Sequence, residues 1–331
     1  MNRRRTIIGF LACGPLVTMQ RSHAQPAGKV FLVGYLNLLS SDPESPGGQF
    51  FRGLRDRLAE RGYVLGRNIA FDEKYANGQA DRLPRLAAEL VQSNVDVIVA
   101  GPAVAIRAAS DATNKIPIVM AFSADDPVKS GFVKSLNHPG TNVTGVTAQG
   151  RDLAPKLVEH LLEFVPGVRH VAVLMNPAAA EHGAYFDAMQ TRLPAGIRLQ
   201  RVEAGQPRQY EDAFATMKSE HAEALVILGN AIFTQDSRQL ASLALSHKLP
   251  SIYLYRTFPD EGGLMSYGPD HREIFELASE YVDKILKGTN PGMLPVRQPT
   301  KFELIVNERT AKALGLSVPR AVLARANEVI R

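Results

Sequence analysis

The chain has 331 residues, 45% of them hydrophobic, with 38 Lys and Arg against 33 Asp and Glu, one Cys and no Trp. The apolar fraction excludes wholesale disorder, the length favours two domains over one stretched core, and a single Cys excludes a disulfide framework or a Cys-rich zinc or iron–sulfur centre. The formal charge of +5 invites a nucleic-acid reading, which stands or falls on where the basic residues sit.

Residues 1–24 have the three-part layout of an export signal. Arg3, Arg4 and Arg5 form a positive start, Thr6 to Met19 an apolar stretch, and Ser22-His23-Ala24 a small-residue cleavage site, so cleavage is expected after Ala24. Arg4-Arg5-Thr6-Ile7-Ile8 fits a twin-arginine signal as well as a general secretory one. Leu11-Ala12-Cys13-Gly14 is reminiscent of a lipoprotein box, but Phe10 replaces the usual Leu and the preceding apolar stretch is short, which argues against lipidation at Cys13. The segment holds four arginines, no acid and the only Cys. Without it, 34 basic residues face 33 acidic ones, so the mature charge is close to balanced. The remaining basic residues are interleaved with acids, and no nucleic-acid motif is present.

In chain order, Val30 to Leu36 reads as a buried parallel strand, and Phe50, Leu54 and Leu58 as a helix that Gly62 stops. Residues 68–72 read as a strand, Leu83 to Leu90 as a helix, Val95 to Ala100 as a strand ending at Gly101-Pro102, and Ile116 to Phe122 as another strand after a small-residue helix. The same order then restarts: strand 171–175, helix 185–193, strand 197–202, helix 210–218, strand 224–229 and strand 248–253. Lys115-Ile116-Pro117 and Lys248-Leu249-Pro250 occupy matching positions, which points to two similar lobes rather than a short-period solenoid. Gly262 to Gly268 reads as a connection, followed by a helix over 272–287, a strand over 302–306 and a helix over 308–314.

The expected fold is α/β: two doubly wound parallel-sheet lobes with a hinge and a cleft between them. The N-terminal lobe is taken as 25–147 with 269–295 returning to it, and the C-terminal lobe as 148–268 with 296–331 packing on it. No dinucleotide loop, phosphate-binding loop or Gly-x-Ser-x-Gly elbow is present, and no histidines pair at metal-ligand spacing, so neither cofactor, metal nor catalysis is expected. Asp125-Asp126 before Pro127 reads as a cap in preference to an acid pair.

Asp126-Pro127-Val128 through Asn142-Val143-Thr144-Gly145-Val146 resembles the signature block of the ABC-transporter substrate-binding proteins of tryptophan/tyrosine type. Gly262 to Gly268, Ile285 to Gly288, Leu294 to Leu304 and Asn307 to Pro319 resemble the same family. The resemblance spans residues 28–331. It implies a type I periplasmic binding-protein fold, and a monomer that binds an amino acid or another carboxylate in the cleft. A membrane permease with its ATPase would be the partner and the periplasm the location. A sensory binding protein and an exported enzyme are the alternatives.

Ligands of open parallel sheets bind beyond the carboxyl ends of the strands. Those ends carry Asn37, Leu38, Ser40, Gly101, Pro102, Phe122 and Ser123 in the first lobe, and Asn176, Gly229, Asn230, Tyr255, Arg256 and Phe258 in the second. The helix following Gly101-Pro102 offers free N–H groups to a carboxylate, Ser123 offers a hydroxyl, and the aromatic residues offer walls. Arg256 fits a carboxylate fork, or else an ion pair with Asp260 or Glu261. Thr147 fits a hinge or a ligand contact, and Tyr267-Gly268 the second crossing between lobes.

Overall fold

The computed structural model describes residues 29–331 apart from 124 and 149, and all but the side chain of Phe122. The expected export segment, with Cys13 and Ala24, therefore lies outside the described residues.

The first sheet contains β1 (Phe31–Asn37), β2 (Ile69–Tyr75), β3 (Val97–Gly101), β4 (Ile118–Ser123) and β5 (Val143–Thr147), in the order β2-β1-β3-β4-β5 and wholly parallel. Parallel strands are covered on both faces, which is why their sequences are apolar runs and not alternations. Leu36, Ile98 and Met120 face the helices α2 (Leu83–Gln92) and α3 (Ala103–Ala112). Val33, Val99 and Val119 face α1 (Pro46–Glu60) on the other side. The α1 start is fixed by Ser45, whose Oγ accepts from the Gly48 N–H at 3.3 Å, with Pro46 in the first helical position.

The second sheet contains β6 (His170–Met175), β7 (Arg198–Glu203), β8 (Ala224–Ile227), β9 (Ser251–Tyr253), β10 (Met265–Pro269), β11 (Phe302–Asn307) and β12 (Glu328–Ile330). Its order is β12-β11-β10-β9-β8-β6-β7, and only the β10–β11 pair is antiparallel. The segment β7-β6-β8-β9-β10 thus repeats the order of the first sheet, so the two lobes read from the sequence share one topology. Its helices are α4 (Gly150–Phe164), α5 (His182–Gln190), α6 (Tyr210–Ser219), α7 (Ala231–Gln235), α8 (Ser237–Ser246) and α9 (Thr257–Asp260). After β10 the chain returns to the first lobe as α10 (His271–Leu286), whose Leu277, Ala278, Tyr281 and Val282 complete the core beside Val33 and Leu54. It then crosses back to form β11, α11 (Glu308–Ala313), α12 (Arg320–Arg325) and β12.

Two local readings change. Gly262 to Gly268 is not all connection: Met265–Pro269 forms β10, in register with Val306 to Phe302 of β11. Its small residues are demanded by packing, since a Cβ on Gly268 would overlap the Leu254 carbonyl. The second crossing accordingly begins after Pro269 and not at Tyr267-Gly268. The helix α4 carries no strong sequence signal because Pro155 interrupts its pattern, yet Leu153, Leu157, Val158 and Leu161 bury one face.

Gly145, in β5 at the first crossing, has φ +129°, and a Cβ there would overlap the Met120 backbone. Gly145→Ala is expected to lower stability by at least about 2 kcal/mol, measured as a lower urea midpoint at unchanged m.

Candidate functional site between the lobes

The order β2-β1-β3 makes β1 and β3 neighbours whose connections run to opposite sides, so a crevice opens between their carboxyl ends. The second sheet does the same at β6 and β8. The two crevices face each other across one cavity of about 190 Å³. Asn37, Leu38, Gly101 and Pro102 line it from the first lobe, and Asn176, Gly229, Asn230 and Tyr255 from the second. Eight of the residues expected at the site therefore meet around one space.

Each wall is held by local hydrogen bonds. The Asn37 amide donates to the Tyr35 hydroxyl at 2.6 Å and accepts from the Leu39 N–H at 2.9 Å, turning Leu38 and Leu39 over the cavity. Asn176 Oδ1 accepts from the Ala178 N–H at 2.9 Å, and its amide donates to Asn230 Oδ1 at 3.3 Å. Asn230 Oδ1 also accepts the Ile232 N–H at 3.0 Å, capping α7. Pro102 has no side-chain acceptor, so nothing caps α3 and its first N–H groups, on Ala103 and Val104, stand at the cavity wall.

The other expected residues stand elsewhere. The Ser40 Oγ accepts from the Asp42 N–H at 3.1 Å and shapes the loop before α1. Ser123 is buried behind the wall, and Thr147 lines an adjoining cavity of about 600 Å³ that shares Asp125 and Glu181 with the first. Both brace Asp125, Ser123 Oγ accepting its N–H at 3.3 Å and the Thr147 hydroxyl donating to its carbonyl at 2.7 Å. Arg256 points away into carboxylates, with Asp260 at 3.1 Å, Glu328 at 3.3 Å and Glu303 at 3.6 Å. Phe258 is 1% exposed and packs edge-on to Tyr253 in the core of the second lobe. Both miss the cavity because α9, a short helix after Tyr255, turns them off the strand end. Phe122 belongs to β4, and its side chain is outside the described residues. Arg256→Ala is accordingly expected to leave ligand affinity within about twofold and to lower stability by about 1 kcal/mol or less, by titration calorimetry and urea unfolding.

Sequence reading missed three contributors. Leu39 and Phe50 add apolar wall, and Glu181, the residue before α5, faces Asp125 across the cleft. Asp126, not Asp125, makes the cap-like contacts, accepting from the Val128 and Lys129 N–H groups at 3.0 and 3.2 Å. Asp125 is therefore freed for the cavity. His182 is a positioning residue. Its Nδ1 accepts from the Asn176 N–H at 2.9 Å, and its Nε2 lies 3.2 Å from the Gly229 carbonyl, which fixes the neutral Nε2–H form and ties the ends of β6 and β8 together. Burial lowers its pKa, in keeping with that neutral role.

A larger groove, about 860 Å³, opens between Lys29, Asn142 and Met293. It lies at the amino ends of the first-lobe strands, where parallel sheets do not place ligands. The interlobe cavity is smaller but combines apolar walls with convergent polar groups from both lobes.

A family model for ABC transporter substrate-binding proteins matches residues 47–330. The chain belongs to that family. Members of this family bind solutes for ABC transporters. A tyrosine-binding protein of Clostridioides difficile strain R20291 is 27% identical over 267 residues, covering 80% of this chain and 76% of its own. A conserved domain protein of Vibrio cholerae O1 biovar El Tor has a solved structure that matches with a TM-score of 0.83 at 28% identity, over 91% of this chain and 100% of its own. The ABC domain solved in complex with L-Trp from Streptococcus pneumoniae matches in fold with a TM-score of 0.81 at 23% identity, again over 91% and 100%. The fold is that of the type I periplasmic binding proteins. No helix of the described residues is long and apolar enough to cross a membrane.

Proposed function

We propose that this substrate-binding protein captures an amino acid with an aromatic or other apolar side chain between its lobes. It then presents the ligand, as a monomer in the periplasm, to a permease driven by a separate ATPase. The observation that carries the reading is the cavity at the facing switch points of the two sheets. Leu38, Leu39, Phe50 and Tyr255 supply apolar surface there, while uncapped N–H groups of α3 suit a carboxylate. The tyrosine-binding relative and the L-Trp complex of the fold neighbour support the ligand class. Membership of a substrate-binding family supports capture as the role, and Asn37, Asn176 and Asn230 spend their amides on holding the wall.

A thermal-shift screen of the protein against amino acids, aromatic acids, dicarboxylates and sugars tests this. A site-specific ligand at 100 times its Kd adds about 2.7 kcal/mol of stability. Aromatic or large apolar amino acids are expected to give the largest shifts. A response to sugars alone would reject the reading.

A further inference from the structure

Two of the apolar residues lining the interlobe cavity, Phe50 and Tyr255, belong to different lobes, and one buried ring touches both. That ring is His271, the first residue of α10, where the second crossing enters the first lobe. It meets Phe50 edge-on at 5.2 Å between centroids and Tyr255 at 5.5 Å, and Phe275 backs it at 6.3 Å. The sequence makes room for this cluster. Gly53 lies inside α1, and a Cβ there would overlap the Phe275 ring. A glycine inside a helix costs about 1 kcal/mol against alanine, and here it admits α10 close to α1. His271 does not itself line the cavity, so it acts on a ligand only through Phe50 and Tyr255.

Because α10 packs on α1 in the first-lobe core, His271, Phe275 and Phe50 form one body, and the contact with Tyr255 is made between lobes. Parting the lobes takes Tyr255 and the adjacent Arg256 away from the ring, and closing brings both back. Tyr255 then shuts out water, and the Arg256 guanidinium repels a proton on the imidazole. In the structure burial first and Arg256 second lower the His271 pKa from 6.5 to about 4, with Asp270 opposing. The other charged groups on the elements around the ring are paired among themselves. Glu303 on β11 lies 3.6 Å from Arg256 and 4.0 Å from Arg272, which lies 3.5 Å from Asp270. Glu273 accepts from the Thr300 and Lys301 N–H groups at 2.9 and 2.7 Å, and Arg52 on α1 pairs with Glu44 at 3.4 Å. Burial keeps the Tyr255 hydroxyl protonated.

We propose that His271 is a positioning residue of the interlobe site: it sets Phe50 and Tyr255 against the ligand as the lobes close, and it couples that closure to pH. This rests on the functional reading above and adds the group that regulates it. The closed form binds fewer protons at His271 than the open form between about pH 4 and 6.5. Affinity is therefore full above pH 6.5 and falls as the pH drops through that range, because the proton favours the open form. Asp125, pushed up to about 7, titrates over an overlapping range, so a comparison of variants decides the matter and not the raw profile.

The test is titration calorimetry of wild type, His271→Leu and His271→Ala with L-tyrosine, L-tryptophan and L-leucine, from pH 7.5 to pH 5.5. His271→Leu keeps an apolar side chain of similar volume against both rings and cannot take a proton. Wild-type affinity for the tightest of the three ligands is expected to fall about tenfold further over that range than the affinity of His271→Leu. At pH 7.5, His271→Ala is expected to bind about tenfold more weakly than wild type, and His271→Leu to recover most of that loss. If His271→Ala fails to fold, the paired pH profiles of wild type and His271→Leu decide alone. Parallel profiles overturn this inference and leave the functional reading standing. If wild type binds none of the three ligands, the functional reading fails, and this inference with it.

Discussion

Replacing Phe258 by alanine is expected to lower the unfolding free energy by about 3–5 kcal/mol while leaving the cavity wall in place. The ring is 1% exposed and lies in one cluster with Phe233, Leu240 and Tyr253, its centroid 5.7 Å from that of Tyr253. The surrounding backbone is closely fitted, since a Cβ on Gly263 would overlap the same ring. Little room exists for neighbours to collapse into the space, so the cavity penalty adds to the lost transfer energy. Urea unfolding gives the magnitude. A ligand titration of the folded variant separates the core role from a wall role: affinity should hold within about threefold if Phe258 only packs. A large affinity loss with little loss of stability would return Phe258 to the ligand site.

Acid should destabilise the protein through His271, by roughly 3 kcal/mol between neutral pH and pH 4. Its pKa is lowered from 6.5 to about 4 by burial first and by the nearby Arg256 charge second, with Asp270 opposing. The ring sits at the start of α10 among Phe50, Tyr255 and Phe275, an aromatic setting that leaves an imidazolium poorly solvated. The folded state binds fewer protons than the unfolded chain between those values, so this contribution is present above pH 6.5 and is lost as the pH falls toward 4. His160 and His182 also have lowered pKa values through burial and add in the same direction. Asp125 works against them, because its raised pKa makes the folded state take up a proton between about 4 and 7. The raw pH profile is therefore a partial cancellation. The informative quantity is the difference between wild type and His271→Leu, followed by urea midpoints from pH 7.5 to pH 4. That difference should shrink steadily as the pH falls, and parallel profiles would show that His271 does not titrate.

Most of the topology was legible because parallel strands covered on both faces are written as short apolar runs. Val97 to Gly101 and Ala224 to Ile227 are examples; the first ends in Gly101, and Gly229 stands two residues past the second. From those ends the switch-point rule reaches Asn37, Gly101, Asn176, Gly229 and Asn230 without any knowledge of contacts. It fails where a short element intervenes. Tyr255 reaches the cavity, but α9 begins two residues later and turns Arg256 toward Asp260 and Phe258 into the core. It also fails where an interaction joins the lobes. Nothing local distinguishes Asp125 from Asp126, or Glu181 from any exposed glutamate, until the fold brings 125 and 181 together. His182 was unreadable for a similar reason: its partners are the backbone atoms of Asn176 and Gly229, and backbone partners leave no mark in a sequence.

The most direct measurement is a crystal structure of the protein grown with the amino acid that stabilises it most. The account predicts ligand density between the lobes, its side group against Leu38, Leu39, Phe50 and Tyr255, and its carboxylate at the first N–H groups of α3. Density in the groove beside Lys29 and Met293, or an empty interlobe cavity at saturating ligand, would contradict it.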